Sequence, residues 1–175
     1  MRRADRDERR LLAGVRAGSE ADLERLFRAH WPRAHRAALL VVHDATAAED
    51  IAQEAFVSAL RSLDQFDRGR PFGPWLHRIV VNRAIDWSRT RALRQEAPLP
   101  TGALEGAWDG PGPPFSDELV GALGALDTDR RAVIVMRYLL DYTPGEIAEL
   151  LELPRGTVNS RLRRALDGLS EVIDR

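Results

Sequence analysis

Residues 142–169 read Tyr-Thr-Pro-Gly-Glu-Ile-Ala-Glu-Leu-Leu-Glu-Leu-Pro-Arg-Gly-Thr-Val-Asn-Ser-Arg-Leu-Arg-Arg-Ala-Leu-Asp-Gly-Leu. The pattern predicts two short helices joined by a tight corner. Thr143 caps the first, Pro144 takes its first position, and Glu146 completes a capping box. Ile147, Ala148, Leu150 and Leu151 give that helix an apolar side. Pro154 makes the corner, because it disfavours helix in the residue before it and can start a new one. In the second helix Val158, Leu162, Ala165, Leu166 and Leu169 fall on one stripe at helical spacing. Gly156, Thr157, Ser160, Arg163 and Arg164 face away, with Arg155 and Arg161 on the flanks. Residues 155–166 hold four arginines and no acid. This is the layout of a helix-turn-helix whose second helix enters a major groove. Arg can pair with guanine or clamp phosphate, Ser and Thr can reach either, and Gly156 allows close approach of the helix start to a phosphate. The competing reading is an amphipathic helix with a solvated basic face; the helix and corner before it favour DNA.

The chain around this stretch has 175 residues, 44% hydrophobic and 30% charged, room for one domain or two small ones. With no cysteine, it has neither a disulfide framework nor a thiolate metal site. No apolar run spans a membrane, and the charged start, Met1 to Arg10, is not a secretory leader. A cytoplasmic protein without membrane insertion is expected. The net charge of −1 does not advertise nucleic-acid binding, but a groove binder depends on its local field, and the arginines are clustered.

In chain order, residues 5–17 predict a helix with Leu11, Leu12 and Val15 on one side, stopped by Gly18. Ser19 and Asp22 open a second helix to about Val42, which Pro32 should kink or split. Thr46 to Glu49 reads as a capping box opening a third, to about Leu63. Its inner side is Ala48, Ile51, Ala52, Ala55, Phe56, Ala59 and Leu60; Asp50, Gln53, Glu54, Val57 and Arg61 lie outside. Residues 64–74 form a loop by their glycines and prolines. Its aromatics, Phe66 and Phe72, and its arginines suit a pocket for an unstacked base beside a phosphate. They suit equally a loop tucked onto a core. Trp75 begins a helix to about Arg94 that is basic through Arg78, Arg83, Arg89, Arg91 and Arg94. Residues 95–115 hold five prolines and four glycines and read as an extended or disordered linker, with Trp108 placed to dock on something. Ser116 starts a helix, and Thr128 or Asp127 caps another whose core is Val133, Ile134, Met136, Tyr138 and Leu139. No strand-like alternation appears. His30, His35, His43 and His77 lack ligand spacing, so no metal is expected. The fold class is all-α, two small helical domains on a Pro/Gly-rich linker.

Three segments resemble the extracytoplasmic-function group of the bacterial RNA polymerase sigma factors. Ala48-Glu49-Asp50-Ile51-Ala52-Gln53-Glu54-Ala55-Phe56 looks like the helix that binds the polymerase clamp. Trp75-Leu76-His77-Arg78-Ile79-Val80-Val81-Asn82-Arg83-Ala84-Ile85-Asp86 looks like the family's "WL..I..N...D" helix, which reads the −10 element with the loop before it. Glu146-Ile147-Ala148-Glu149 with Gly156-Thr157-Val158-Asn159-Ser160-Arg161-Leu162-Arg163-Arg164-Ala165 looks like the "EIA…GTV.SR..RA" motif of the −35 reader.

The resemblance implies residues 1–94 as a region 2-like domain, 95–115 as linker and 116–175 as a region 4-like domain. It implies polymerase contacts at Asp50, Gln53 and Glu54. It implies −10 contacts at Phe66, Arg70, Phe72, Arg78, Asn82, Arg83, Asp86 and Arg89, the loop capturing a flipped base with help from Asn82. It implies −35 contacts at Arg155, Gly156, Thr157, Asn159, Ser160, Arg161, Arg163 and Arg164. Core RNA polymerase, promoter DNA and an anti-sigma factor are the implied partners, with no cofactor. The linker resembles the segment that threads the RNA channel. Asn159 stands where many relatives have a basic residue, Pro154 where many have a Ser-like cap, and Leu126 to Arg130 replaces a proline-containing turn. No long extension follows residue 175, so an added regulatory domain is not expected. A stand-alone helix-turn-helix regulator is the alternative, but it leaves residues 46–94 without a task. An enzyme is not expected: there is no Gly-rich phosphate loop, HExxH or acid–His–nucleophile spacing.

Overall fold

Short polar side chains set where most of the helices begin. Ser19, Asp44, Ser116, Asp127 and Thr143 each stand just before a helix and accept a backbone N–H of its first turn. The computed structural model describes residues 3–67, 69–94 and 116–173. The elements are α1 (Arg3–Arg16), α2 (Glu20–Val42), α3 (Ala45–Arg61), a 3-10 turn (Leu63–Gln65), α4 (Phe72–Leu93), α5 (Asp117–Ala125), α6 (Thr128–Ile134), a π turn (Val135–Leu139), α7 (Pro144–Leu150) and α8 (Arg155–Ile173). No strand occurs among the described residues, and the fold is all-α as read. The stretch 95–115, with Trp108, lies outside the described residues.

Four details differ from the sequence reading. Pro32 lies inside α2 without splitting it, because that helix packs against α1, α3 and α4 along its length. α3 is capped by Asp44, whose carboxylate accepts the Ala47 N–H at 3.0 Å, so Thr46 is already helical and its capping box does not form. α4 begins at Phe72, where Pro74 falls in the first turn and its missing N–H costs nothing. The π turn inserts a residue before Leu140, which bonds Val135 O at 3.2 Å; the phase shift turns Tyr138 out to solvent instead of into the core.

Helices α1–α4 pack as one set and α5–α8 as another. The sets are not apart: α2 and α4 pack against α6, α2 also against the π turn and α4 against α7, and one buried cluster takes residues from both. α2 has no basic residue in its last turn. Arg131 of α6 supplies the cation, donating to Val41 O at 2.8 Å as well as to Leu126 O at 2.7 Å. Gly124 lets α5 end against His43: a Cβ there would lie 3.3 Å from that ring. His77 of α4 and Tyr142 share a buried hydrogen bond of 2.7 Å between Nδ1 and the hydroxyl.

The buried His77 and the half-buried His43 therefore both sit where the sets meet. Desolvation, the larger cause, pushes His77 down to about 3 and His43 down to about 4, so both rings are neutral in the fold. Unfolded histidine takes up its proton near 6.5, so between that value and the folded ones the unfolded chain binds more protons. Stability is then full above the ordinary histidine range and falls as pH falls. The expected loss is on the order of 1 kcal/mol per pH unit for each ring, read from chemical unfolding at pH 6 and 5, above the carboxylate range. His77→Gln should remove about half of that slope; an unchanged slope excludes the assignment.

Candidate nucleic-acid interface

The helix-turn-helix forms as the local sequence dictates. Glu146 Oε2 accepts the Thr143 N–H at 2.8 Å, and Thr143 Oγ1 accepts the Glu146 N–H at 3.3 Å. The Thr143 hydroxyl and N–H hold the Glu146 carboxyl below its usual range. α7 ends in a Schellman motif: Leu153 N–H donates to Ala148 O at 2.9 Å, and Glu152 N–H to Glu149 O at 3.4 Å. Glu152 therefore takes the left-handed position usually given to glycine, with φ 54°. The Pro154 carbonyl accepts from Thr157 and Val158 and starts α8. Val158, Leu162 and Ala165 are buried in the second set, while Arg155, Gly156, Asn159, Arg163 and Arg164 are exposed. Thr157, Ser160 and Arg161 are half-buried; Ser160 Oγ donates to Thr157 O at 2.9 Å.

The second surface follows α4. Leu76, His77, Val80, Val81, Ala84 and Ile85 are buried. Arg78, Asn82 and Arg83 are half-buried, and Arg70, Asp86 and Arg89 are exposed. Phe66 and Phe72 correct the sequence reading: Phe66 is 6% exposed and Phe72 0%. Their rings meet each other and Trp75 in an aromatic cluster, so of the two readings of this loop the core one holds for the rings. Gly69, Arg70 and Pro71 of the loop are exposed, with Arg70 3.6 Å from Asp67.

The structure brings the two basic surfaces together. Asp129, in the first turn of α6, accepts from Arg89 of α4 at 2.9 Å through Oδ1 and from Arg161 of α8 at 3.0 Å through Oδ2. The three line a cleft of about 380 Å³ that Arg164 also borders. Arg78 pairs with Glu152 across the same junction, and Arg33 with Asp141 at 2.7 Å. Sequence reasoning missed Asp129 and Glu152 as partners, because acids 40 and 74 residues from their arginines carry no local signal. Asp50, Gln53 and Glu54 are exposed along α3; Glu54 pairs with Arg83 of α4 at 2.9 Å and Gln53 with Glu49 at 3.1 Å. Half-exposed Phe27 and Val57 also lie on α2 and α3, Phe27 stacked on Trp31 with centroids 4.8 Å apart.

An all-helical scaffold carrying a helix-turn-helix and a second basic helix is the architecture of a helix-turn-helix DNA-binding protein. Comparison narrows this further. A family model described as Sigma-70 region 2 matches residues 26–94, and one described as Sigma-70, region 4 matches residues 116–168. The ECF RNA polymerase sigma factor SigM of Mycobacterium tuberculosis is 32% identical over 98% of this chain and 87% of its own length. CnrH of Cupriavidus metallidurans, an RNA polymerase sigma factor, is 33% identical over 95% of this chain and 94% of its own. The solved structure of CnrH in complex with the cytosolic domain of CnrY superposes with a TM-score of 0.70 at 32% identity, covering 95% of this chain and 97% of that one. RpoE of Bartonella quintana, solved with the anti-sigma factor NepR, shares the fold with a TM-score of 0.69 at 22% identity, covering 87% and 97%. The chain belongs to the extracytoplasmic-function RNA polymerase sigma factors. No described helix is long and apolar enough to cross a membrane.

Asp129→Asn removes the charge that holds Arg89 and Arg161. The free chain should then bind duplex DNA several-fold more tightly, and its salt dependence should steepen by about 1 to 2 in log–log slope, one phosphate per released arginine. Fluorescence anisotropy across a salt titration measures both; an unchanged slope means the two arginines were not withheld from DNA.

Proposed function

We propose that this chain lends core RNA polymerase promoter recognition and strand opening, in the cytoplasm, while doing no chemistry of its own. Residues 1–94 take the −10 element and the polymerase, 116–175 take the −35 element, and 95–115 link them. Asp50, Gln53 and Glu54 are the proposed polymerase contacts. Arg155, Gly156, Thr157, Asn159, Ser160, Arg161, Arg163 and Arg164 form the proposed −35 reader. On the −10 side the proposal retains Arg70, Arg78, Asn82, Arg83, Asp86 and Arg89.

The observation that carries this reading is that one carboxylate, Asp129, touches both basic helices. Elements at −10 and −35 lie about 25 base pairs apart, roughly 80 Å along B-DNA. Arg89 and Arg161, sharing one carboxylate, cannot reach both. Promoter engagement therefore needs the sets to part, and a large polymerase gripping each set supplies the separation. An anti-sigma protein is the expected antagonist; the similar CnrH is solved in complex with the cytosolic domain of CnrY. It should compete with polymerase for the exposed faces of the sets, and co-purification of this chain with both at once would count against that.

The decisive test is transcription by core polymerase plus this chain on a promoter library. Start-site-specific product is expected, and its absence across the library would defeat the proposal. Arg164→Ala should weaken −35 binding by roughly 1–3 kcal/mol with relaxed preference at one base pair, if a base edge is its target; equal loss on all sequences would make it a phosphate contact. Asn82→Ala should slow strand opening more than closed-complex formation, and equal loss in both removes Asn82 from base capture.

A further inference from the structure

We propose that α1 is a brace that holds the α3–α4 loop from both sides, making Glu8 and Arg16 positioning residues for base capture; the inference rests on the strand-opening role given to that loop above. α4 starts after Pro71, which offers no side-chain cap. Its first N–H, that of Phe72, donates instead to Glu8 Oε2 of α1 at 3.1 Å, 64 residues away in sequence. The other oxygen, Oε1, lies 3.3 Å from His30 Nε2. A carboxylate at a helix start is favoured by the dipole as well as by the hydrogen bond. The His30 hydrogen bond, followed by that of Phe72, holds the Glu8 carboxyl below its ordinary range against the opposing cost of burial.

On the other side of the loop, Arg16 donates to Leu63 O at 2.5 Å and to Phe66 O at 3.4 Å, and its Nε lies 3.9 Å from Asp64. These carbonyls belong to the 3-10 turn that leads out of α3 and to the residue after it. Glu8 and Arg16 are two turns apart and share a face of α1, about 12 Å along its axis. Leu12, midway between them, is 3% exposed and anchors that face in the core. Gly14 permits the close crossing over α2, since a Cβ there would fall 1.9 Å from Asp22 Oδ2. One rigid rod thus spans the loop. Phe66 and Phe72 are also held by their buried rings, so the loop is anchored at both ends. A preorganised loop loses less freedom on binding an unstacked base. α1 precedes residue 26, where the region 2 match begins.

The test uses full-length chain with core polymerase on a promoter selected with that holoenzyme. Abasic sites are placed one at a time in the non-template strand of the −10 element, and open-complex rates are compared with the intact promoter. With the natural chain, one position should slow opening by about ten-fold or more. In Glu8→Ala and in Arg16→Ala that ratio should shrink toward one, while core affinity and −35 duplex binding stay unchanged. Glu8→Gln keeps an acceptor for the Phe72 N–H and should recover part of the ratio. Hydrogen exchange at the Phe72 amide should quicken in Glu8→Ala, showing that the brace has been released. If exchange quickens and the ratio stays at its natural value, the brace is overturned and the base-capture reading stands. If the variants lose core affinity and −35 binding in parallel, α1 is a general stability element and the proposal fails. If the natural chain shows no abasic-sensitive position, base capture fails and the brace with it.

Discussion

The buried hydrogen bond between His77 and Tyr142 sits where the two helical sets share a core. Burial pushes the histidine down and the tyrosine up, so both rings are held neutral. The pair is expensive to leave half-made, because a buried nitrogen that loses its partner carries the full desolvation cost. α4 is thus bound by two obligations. One face completes the core of the first set, and His77 on that face also receives the second set. Only the remaining face, with Arg78, Asn82, Arg83 and Arg89, stays outside the core, and it carries the proposed nucleic-acid contacts.

Around that junction the charges play a different part. The pairs Arg78–Glu152, Arg89–Asp129 and Arg33–Asp141 have exposed or half-exposed members. Exposed pairs contribute about 0–1 kcal/mol each, so the closed arrangement is held chiefly by buried apolar surface and by the hydrogen bonds of Arg131 and His77. What the ion pairs decide is which charges remain available. Asp129 sets a carboxylate against both basic helices at once, and Glu152 does the same for Arg78. A chain with net charge −1 can in this way carry two basic surfaces, with Arg78, Arg89 and Arg161 paired to acids while Arg155, Arg163 and Arg164 stay exposed.

The loop between α3 and α4 shows how a short element is specified from outside itself. Within it, Asp67 accepts from the Gly69 N–H at 2.8 Å and from the Arg70 N–H at 3.0 Å. Order comes from Phe66 and Phe72 inserted into an aromatic cluster and from Glu8 and Arg16 reaching in from α1. The rings that composition offered to a base are occupied by the core, because a benzyl side chain gains more from burial than from standing in water.

Local patterns were legible wherever the physics is local. The Thr143–Glu146 box, the Ser19 and Ser116 caps, the Val158–Leu162–Ala165 stripe and the outward faces of Asp50, Gln53, Glu54 and Arg164 are readable from spacing, because caps and helical periodicity act over three or four residues, whereas spacing leaves Asp127 and Thr128 as alternative caps and the structure selects Asp127. Thr46 was misread as a cap because Asp44, two residues earlier, competes for the same helix start. Tyr138 was misplaced because a π turn shifts the phase that periodicity assumes. The docking of one set on the other, Asp129 between Arg89 and Arg161, and Glu8 on the first N–H of α4 join residues 32 to 108 positions apart. Such partners are chosen by how the helices pack, and no periodic signal along the chain records that choice.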